Sequence, residues 1–236
     1  MRWDNSAGIR LSTYKQWWES LSQDSRRNIR LAEKKGVTVR TVAFDDELVR
    51  GIHSIYNEAA VRLGKRFWHF GKDLETVKRE NSTYLERSHF IGAFFEGKLI
   101  GFIKLVHVDN LACIMQILAR VAHQDKRTTN ALIAKAVETC AAGGKSFLIY
   151  LRYVYGRNEE SLLTEFKRRN GFVKMEFPRY YVPLTLRGRL ALLLRAQDGW
   201  KGMLPLPLLR LAFRLRGLYF NLRRGRTGGQ QGPRTR

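Results

Sequence analysis

The loop HQDKRTT, residues 123–129, brings together polar and basic side chains that could bind an anion. An apolar strand predicted from Cys113 to Ala119 runs into it, and a predicted helix over 129–141 follows it. The first N–H groups of a helix, together with nearby cations, favour an anion such as phosphate. The loop is therefore a candidate phosphate site with Lys126 and Arg127 as its cations. The alternative is a solvated, basic helix start.

The other polar residues of this loop have simpler interpretations. Asp125 is interpreted as the N-cap of the following helix. His123 is interpreted as a hydrogen-bonding surface residue rather than a general base. Gln124, Thr128 and Thr129 complete the polar groups that could line the phosphate site.

Two adjacent tyrosines, Tyr180 and Tyr181, offer phenol groups late in the chain. A final strand is predicted near Arg179–Leu184, and alternate residues of a strand face opposite ways, so only one phenol can point at a site. A phenol can protonate a leaving group as negative charge develops on it. Packing on a half-buried strand is the competing interpretation.

The stretch GKRFWHF sets aromatic rings beside cations. Arg66, Trp68 and His69 are candidates for an acceptor-binding surface, where the rings would stack on a sugar or a lipid-linked molecule. The same stretch could instead fill the core between subdomains. The remaining histidines lack the spacing of metal ligands, and no metal site is predicted.

The predicted elements give an α/β (α+β) fold, with a mixed, mostly antiparallel sheet flanked by helices. Thr13 is a predicted N-cap, Asp45 and Asp46 are predicted to start a later helix, and Glu96-Gly97-Lys98 connects two strands as a hairpin. Four segments are predicted: a leading helical segment (1–36), the core (37–185), a basic amphipathic extension (186–225) and a disordered tail (226–236).

The composition is strongly basic. The 236 residues include 43 Lys and Arg against 21 Asp and Glu, a formal charge of +22. Such a charge favours a polyanion, an anionic membrane surface or a phosphate-rich ligand as partner. Both cysteines, Cys113 and Cys140, fall in apolar patterns and are interpreted as core residues. Since no secretory signal or membrane span is recognised, a cytoplasmic location is predicted.

The C-terminal extension predicts a peripheral contact with the inner face of the membrane. From Arg187 onward there are twelve basic residues and one acid. The segments LTLRGRLALLLR and LLRLAFRLRGLYFNLRR mix leucine and aromatic residues with arginine at near-helical spacing. Pro205 and Pro207 separate them, which favours two short helices. These helices either dock on anionic lipid or cover the protein's own sheet.

From His89 to Leu184 the order of elements resembles the core of the GNAT superfamily of N-acyltransferases. The segments CIMQILARVAHQDKRTTNALI and NEESLLTEFKRRNGFVKMEFPRYYVPL carry this resemblance, including Asn158 and the Asn-Gly-Phe turn at Gly171. In that family two central strands splay apart and the following loop holds the pyrophosphate of acyl-coenzyme A. The resemblance implies that Met115, Gln116, Ile117 and Leu118 face the acyl group; this chain has neither glycine of the family's loop.

The segments SRRNIRLAEKKGVTV and IYNEAAVRLGKRFW resemble the FemAB-like branch of the superfamily, whose members join an acyl or aminoacyl group to an amine on a cell-envelope precursor. The resemblance implies an N-acyltransferase with acetyl-CoA or another acyl-CoA as donor, and aminoacyl-tRNA as the alternative donor. The implied acceptor is an amine, small or lipid-linked. A non-catalytic module that binds anionic membrane or nucleic acid is the alternative function, although no nucleic-acid motif is recognised.

Overall fold

The computed structural model describes residues 2–155, 161–194 and 196. The chain divides into two compact units: Trp3–Phe177, and a second unit made of residues 1–2 and 178–236. The segment boundaries predicted at residues 36, 185 and 225 stay predictions.

The first unit is built on a seven-stranded sheet beside a separate two-stranded hairpin. In chain order the strands are β1 (Arg2–Arg10), β2 (Thr38–Val42), β3 (Val61–Arg62), β4 (Lys65–Arg66), β5 (Ser88–Phe95), β6 (Lys98–Val108), β7 (Leu111–Ala119), β8 (Phe147–Ile149) and β9 (Val173–Arg179). The order across the main sheet is β2-β5-β6-β7-β8-β1-β9, while β3 pairs with β4. Strands β7 and β8 are parallel, and the pairs β2–β5, β5–β6, β6–β7 and β1–β8 are antiparallel. The predicted mixed, mostly antiparallel sheet is confirmed.

The helices begin where polar side chains can cap them. They are α1 (Tyr14–Ser20), α2 (Gln23–Lys34), α3 (Asp46–Tyr56), α4 (Leu74–Asn81), α5 (Thr128–Ala142), α6 (Leu162–Arg169) and α7 (Leu186–Leu193). The predicted caps Thr13 and Asp45 are confirmed, because each side chain accepts a hydrogen bond from a backbone N–H three residues later. Ser22 caps α2 in the same way and separates it from α1.

Two apolar cores lie on opposite faces of the main sheet. Helices α1, α2 and α5 pack on one face, where residues such as Leu132, Val137 and Ile103 are fully buried. Helices α3 and α4 pack on the other, around Ile52, Val77 and Phe102. Successive side chains of a strand therefore alternate between the two cores.

The structure corrects two strand assignments. Strand β1 occupies Arg2–Arg10, where no strand is predicted, and it pairs with β8 one position from the edge of the sheet. The last strand is Val173–Arg179 rather than Arg179–Leu184, so Tyr180 and Tyr181 follow the strand instead of lying on it. The prediction that the two phenols face opposite sides of a strand is therefore wrong.

The described part of the second unit contains helix α7, which Thr185 caps through the N–H of Gly188. Its Leu186, Leu190 and Leu193 are exposed. The second amphipathic segment of the tail, LLRLAFRLRGLYFNLRR, lies outside the described residues.

Across the described ranges, no helix combines the length and the apolar character needed to cross a bilayer.

Candidate functional site

A β-bulge interrupts strand β7 at Met115. Leu105 of β6 pairs with Ile114, whereas its neighbour Lys104 pairs with Gln116, so Met115 is an extra residue without a partner across the strands. Its side chain is exposed. A bulge bends its strand and increases the local twist.

The bulge lies where β7 and β8 part. The two strands pair at three positions, the last joining Cys113 to Ile149, where β8 ends. Strand β7 continues for six more residues, Ile114–Ala119. We call the opening between this stretch and the end of β8 the wedge. Backbone groups along the wedge can bind an extended ligand in the place of a neighbouring strand.

A group of hydrogen-bonded side chains, which we call the polar cluster, lies on the α3 side of β7. Tyr56 donates from its hydroxyl to Gln116 Oε1 at 2.8 Å, and Asn81 Nδ2 donates to the same hydroxyl at 3.3 Å. Gln116 Nε2 lies 3.4 Å from His69 Nε2, and the His69 ring lies 4.3 Å from the Tyr56 ring. Lys104 completes the polar cluster. These contacts hold the amide of Gln116 in one orientation beside the wedge.

Burial and neighbouring charge lower the pKa values of two groups in the polar cluster, Lys104 and His69. Lys104 is buried, and its Nζ donates to Thr83 Oγ1 and to the carbonyl oxygens of Asn81 and Thr83 at 2.6–2.9 Å. Burial lowers the pKa of Lys104. Burial, and secondly the charge of Lys72, lower the pKa of His69, which favours the neutral imidazole. Lys72 itself is held by Glu80 at 2.6 Å.

The loop before α5 is a compact 3-10 turn, Val121–Lys126, rather than an open loop. Asp125 does not cap α5, and this assignment is wrong: its carboxylate pairs with Lys35, just after α2, at 2.8 Å. The ring of His123 lies 5.6 Å from that of Phe95, and the carbonyl of Gln124 accepts from the N–H of Arg127.

The two predicted cations of this loop differ in their availability. Lys126 turns inward, with its Nζ 4.2 Å from the centre of the Phe95 ring and its side chain 16% exposed. Arg127 is exposed and left-handed, with a φ of 54°. Thr128 follows with a buried Oγ1 that has no hydrogen-bond partner among the described residues, and Thr129 is half-buried beside it. The helix start therefore offers an exposed cation at Arg127 and an unpartnered hydroxyl at Thr128.

A buried lysine lies beside the chain that leaves β8. Lys167 of α6 is fully buried, and its Nζ donates to the carbonyl of Arg152. The same Nζ lies 4.5 Å from the centre of the Tyr150 ring and 5.1 Å from that of Tyr155. Burial lowers its pKa to about 8, far below the ordinary value for a lysine.

The remaining predicted site residues lie apart from the polar cluster or outside the description. Arg66 and Trp68 are exposed on and just after β4, and only His69 of that group reaches Gln116. Ile117 packs against the core under α5, and Leu118 against the core under α3. Tyr180 and Tyr181 are exposed in the second unit. Asn158 lies outside the described residues.

Four residues of these clusters were not predicted as site residues from the sequence: Tyr56, Asn81, Lys104 and Lys167. The first three come from separate elements, and no local spacing links them. Thr164 and Lys167 of α6, and Asn170 just after it, recur every three residues and are all buried, so a polar side of α6 faces inward.

No protein-family model and no curated protein sequence matches the chain. Among solved structures, the crystal structure of FemX is similar with a TM-score of 0.63 and 10% identity, over 80% of this chain and 63% of FemX. The C-terminal domain of a putative lysylphosphatidylglycerol synthetase from Agrobacterium fabrum is similar with a TM-score of 0.51 and 11% identity, over 74% of this chain and 59% of that domain. The chain thus spans about six-tenths of the length of either structure.

These similarities agree with the order of elements around the wedge. A hairpin leads into bulged β7, a loop and helix α5 follow, and parallel β8 comes next. At such low identity the comparison concerns the fold alone. The predicted GNAT-like fold is thus confirmed, and it is similar to the fold of FemX.

Proposed function

We propose that this chain is a transferase that joins an acyl or aminoacyl group to an amine, carried by an amino sugar or a lipid-linked precursor of the cell envelope. The wedge is the observation that best supports this function. Its unpaired backbone can hydrogen-bond an acyl donor along β7, while the polar cluster offers an ordered amide at Gln116 on one side. The similarity of the fold to FemX adds support.

The reaction requires that the acyl donor and the amine are held close together and that protons are transferred. The neutral amine attacks the acyl carbonyl, so that a C–N bond forms and the C–S bond of a thioester or the C–O bond of an aminoacyl ester breaks. The amine loses a proton to a base or to water, and the thiolate or alkoxide that leaves gains one. Polar groups along the wedge would stabilise the negative charge on the carbonyl oxygen between these steps.

The donor in this proposal is acyl-CoA or aminoacyl-tRNA, and Arg127 contacts its phosphate. Replacing Lys126 and Arg127 by alanine is expected to weaken donor binding by about 1–3 kcal/mol for each charge-assisted hydrogen bond that is removed. Most of the weakening should come from Arg127, because Lys126 turns toward Phe95. Calorimetry with acetyl-CoA, free CoA and a charged tRNA measures the change.

Lys135→Ala is the matched control for this experiment. Lys135 is a cation of α5, and its Nζ is already paired with Glu138 at 2.7 Å. An equal decrease in affinity in the control and in the Arg127 variant would contradict a phosphate site at the helix start. Absence of any binding by the wild type to CoA compounds would remove acyl-CoA as the donor.

Tyr180 and Tyr181 remain the proposed proton donors for the leaving group. Changing to Phe the tyrosine that donates the proton is expected to lower turnover by roughly 10²–10⁴-fold, the usual contribution of general acid catalysis. Donor affinity should change little, because this interaction forms mainly in the transition state. Steady-state kinetics and calorimetry on both single variants test this, and equal losses of stability and activity in both would indicate packing instead.

A non-catalytic binding module is the second candidate function. The left-handed Arg127 and the compact turn before α5, in place of a glycine-rich loop, are the observations in its favour. A thermal-shift screen separates the two functions, because a donor that binds only the folded protein raises its unfolding midpoint. A rise with a charged tRNA or an acyl-CoA supports the transferase, and a rise with anionic lipid alone supports the module.

A further inference from the structure

The hairpin formed by β3 and β4, which we call the aromatic hairpin together with its flanks (residues 60–70), carries an unusual set of exposed side chains. Leu63 and Gly64 form its turn, both with positive φ. Leu63 at the tip is 89% exposed and Trp68 is 82% exposed, while Val61 and Phe70 are also exposed. Four large apolar side chains within ten residues thus face solvent.

The hairpin that carries these exposed side chains is fixed to the rest of the first unit by Arg62 and Phe67. Arg62 donates to the carbonyl oxygens of Ile55 at 2.6 Å and Ala119 at 2.9 Å. Its guanidinium also lies 4.3 Å from the centre of the Phe67 ring. Arg62 and Phe67 therefore hold the inner side of the hairpin against α3 and the end of β7, which leaves Leu63 pointing away.

The exposed side of the hairpin is positively charged. Lys65 and Arg66 are exposed directly beside the tip. The nearby acids are already engaged: Glu58 accepts from Arg62 and from the N–H groups of Val121 and Ala122, and Glu80 pairs with Lys72. An apolar tip flanked by cations and a tryptophan is complementary to an anionic lipid surface.

We propose that the aromatic hairpin docks on an anionic bilayer, with Leu63 inserted among the headgroups, Trp68 at the interface, and Lys65 and Arg66 against lipid phosphates. A nucleic acid would use the cations but would leave the apolar tip without a role. His69 connects the same hairpin to Gln116, so docking would place the wedge close to the membrane. On the proposed function, this means that the acceptor amine belongs to a membrane-resident molecule.

A local probe on the full chain tests the docking itself. An environment-sensitive fluorophore is attached at Leu63→Cys, in a Cys113→Ala background that leaves only the buried Cys140. The control label is placed at Leu162→Cys, since Leu162 of α6 is 83% exposed. With vesicles of equal parts phosphatidylglycerol and phosphatidylcholine, the Leu63 label should shift to the blue and be quenched by spin-labelled lipid, whereas the Leu162 label should not.

Two variants test the energetic contributions by vesicle co-sedimentation. Leu63→Ser is expected to lower partitioning about fivefold and Lys65→Glu about tenfold, the second effect falling with added salt. Leu162→Ser and Lys98→Glu serve as controls for an exposed leucine and an exposed lysine elsewhere. If vesicles bind while the Leu63 label stays in water, or if the controls weaken partitioning as much, the docking proposal is wrong and another basic segment is responsible.

The outcome is separable from that of the proposed function. Vesicle binding is measured without donor or acceptor, so inactivity as a transferase does not affect it. If transfer to a water-soluble amine occurs, Leu63→Ser and Lys65→Glu should leave that activity intact while weakening vesicle binding. If the protein labelled at Leu63→Cys transfers the acyl group while its label stays in water, the docking alone is overturned.

Discussion

Lys167→Met is expected to make the protein about 2 kcal/mol more stable at pH 7 and to lose this advantage at higher pH. The fall of the Lys167 pKa from 10.5 to about 8 corresponds to about 3 kcal/mol against the charged form in the folded state. Methionine removes that cost, but it also removes the hydrogen bond to the Arg152 carbonyl, which contributes about 1 kcal/mol.

The sign of the pH dependence follows from the proton count. Between about pH 8 and 10.5 the folded protein has lost the Lys167 proton, whereas the unfolded chain still holds it. The free energy of unfolding of the wild type therefore rises with pH across this window because of Lys167. The difference between variant and wild type should fall by about 3 kcal/mol from pH 7 to pH 10.5.

Denaturant unfolding at several pH values measures this difference, and subtracting one protein from the other cancels the titration of groups they share. Lys104→Met is the matched control, because Lys104 is also buried but donates three hydrogen bonds. That control should be destabilised at pH 7. A constant difference between Lys167→Met and the wild type would show that the folded state holds the Lys167 charge without cost.

Gly171→Ala is expected to lower the free energy of unfolding by about 2–5 kcal/mol. Gly171 follows α6 with a φ of 83°, and a Cβ there would lie 2.8 Å from Trp17 Nε1. The left-handed backbone costs an alanine about 1–2 kcal/mol, and overpacking adds about 1–3 kcal/mol. The same Nε1 donates to the carbonyl of Asn170 at 3.2 Å, so displacing Trp17 also strains that bond.

Gly64→Ala separates the two contributions. Gly64 has a φ of 72°, but no atom lies within 4 Å of a Cβ built there. The Gly64→Ala variant should therefore be destabilised by the backbone contribution alone, about 1–2 kcal/mol. Equal destabilisation of the two variants, measured by denaturant unfolding, would mean that Trp17 moves aside freely.

Local sequence signals predicted the parts of the fold that local physics decides. Thr13 and Asp45 precede their helices with side chains that can accept the first N–H groups, and both caps are present. Glu96 and Gly97 form the hairpin turn with positive φ at both positions. Strand β1 escaped prediction because RWDNSAGIR has few apolar residues, and its place beside β8 comes from pairing across more than 130 residues.

The candidate site was less predictable, because its contacts also join residues that are far apart in the sequence. Gln116 was expected to lie near the acyl group from the family resemblance, and that role stays a prediction. Its partner Tyr56 lies 60 residues away along the chain, and Asn81 lies 25 residues from Tyr56, separations that no periodicity reveals. Asp125 was expected as a cap because of its position, but the cation of Lys35, 90 residues away, holds it instead.

The extra residue in β7, Met115, also changes which side chains of the strand face each side of the sheet. Ile114 and Ile117 both pack toward the core under α5, although residues three apart in a regular strand face opposite sides. As a result, Gln116 of β7 pairs with Lys104 of β6, and both side chains lie on the α3 face of the sheet. Removing Met115 would reverse every position after it and drive the amide of Gln116 into an apolar core. The length of this strand, rather than its composition, thus decides on which side of the sheet the polar chemistry can assemble.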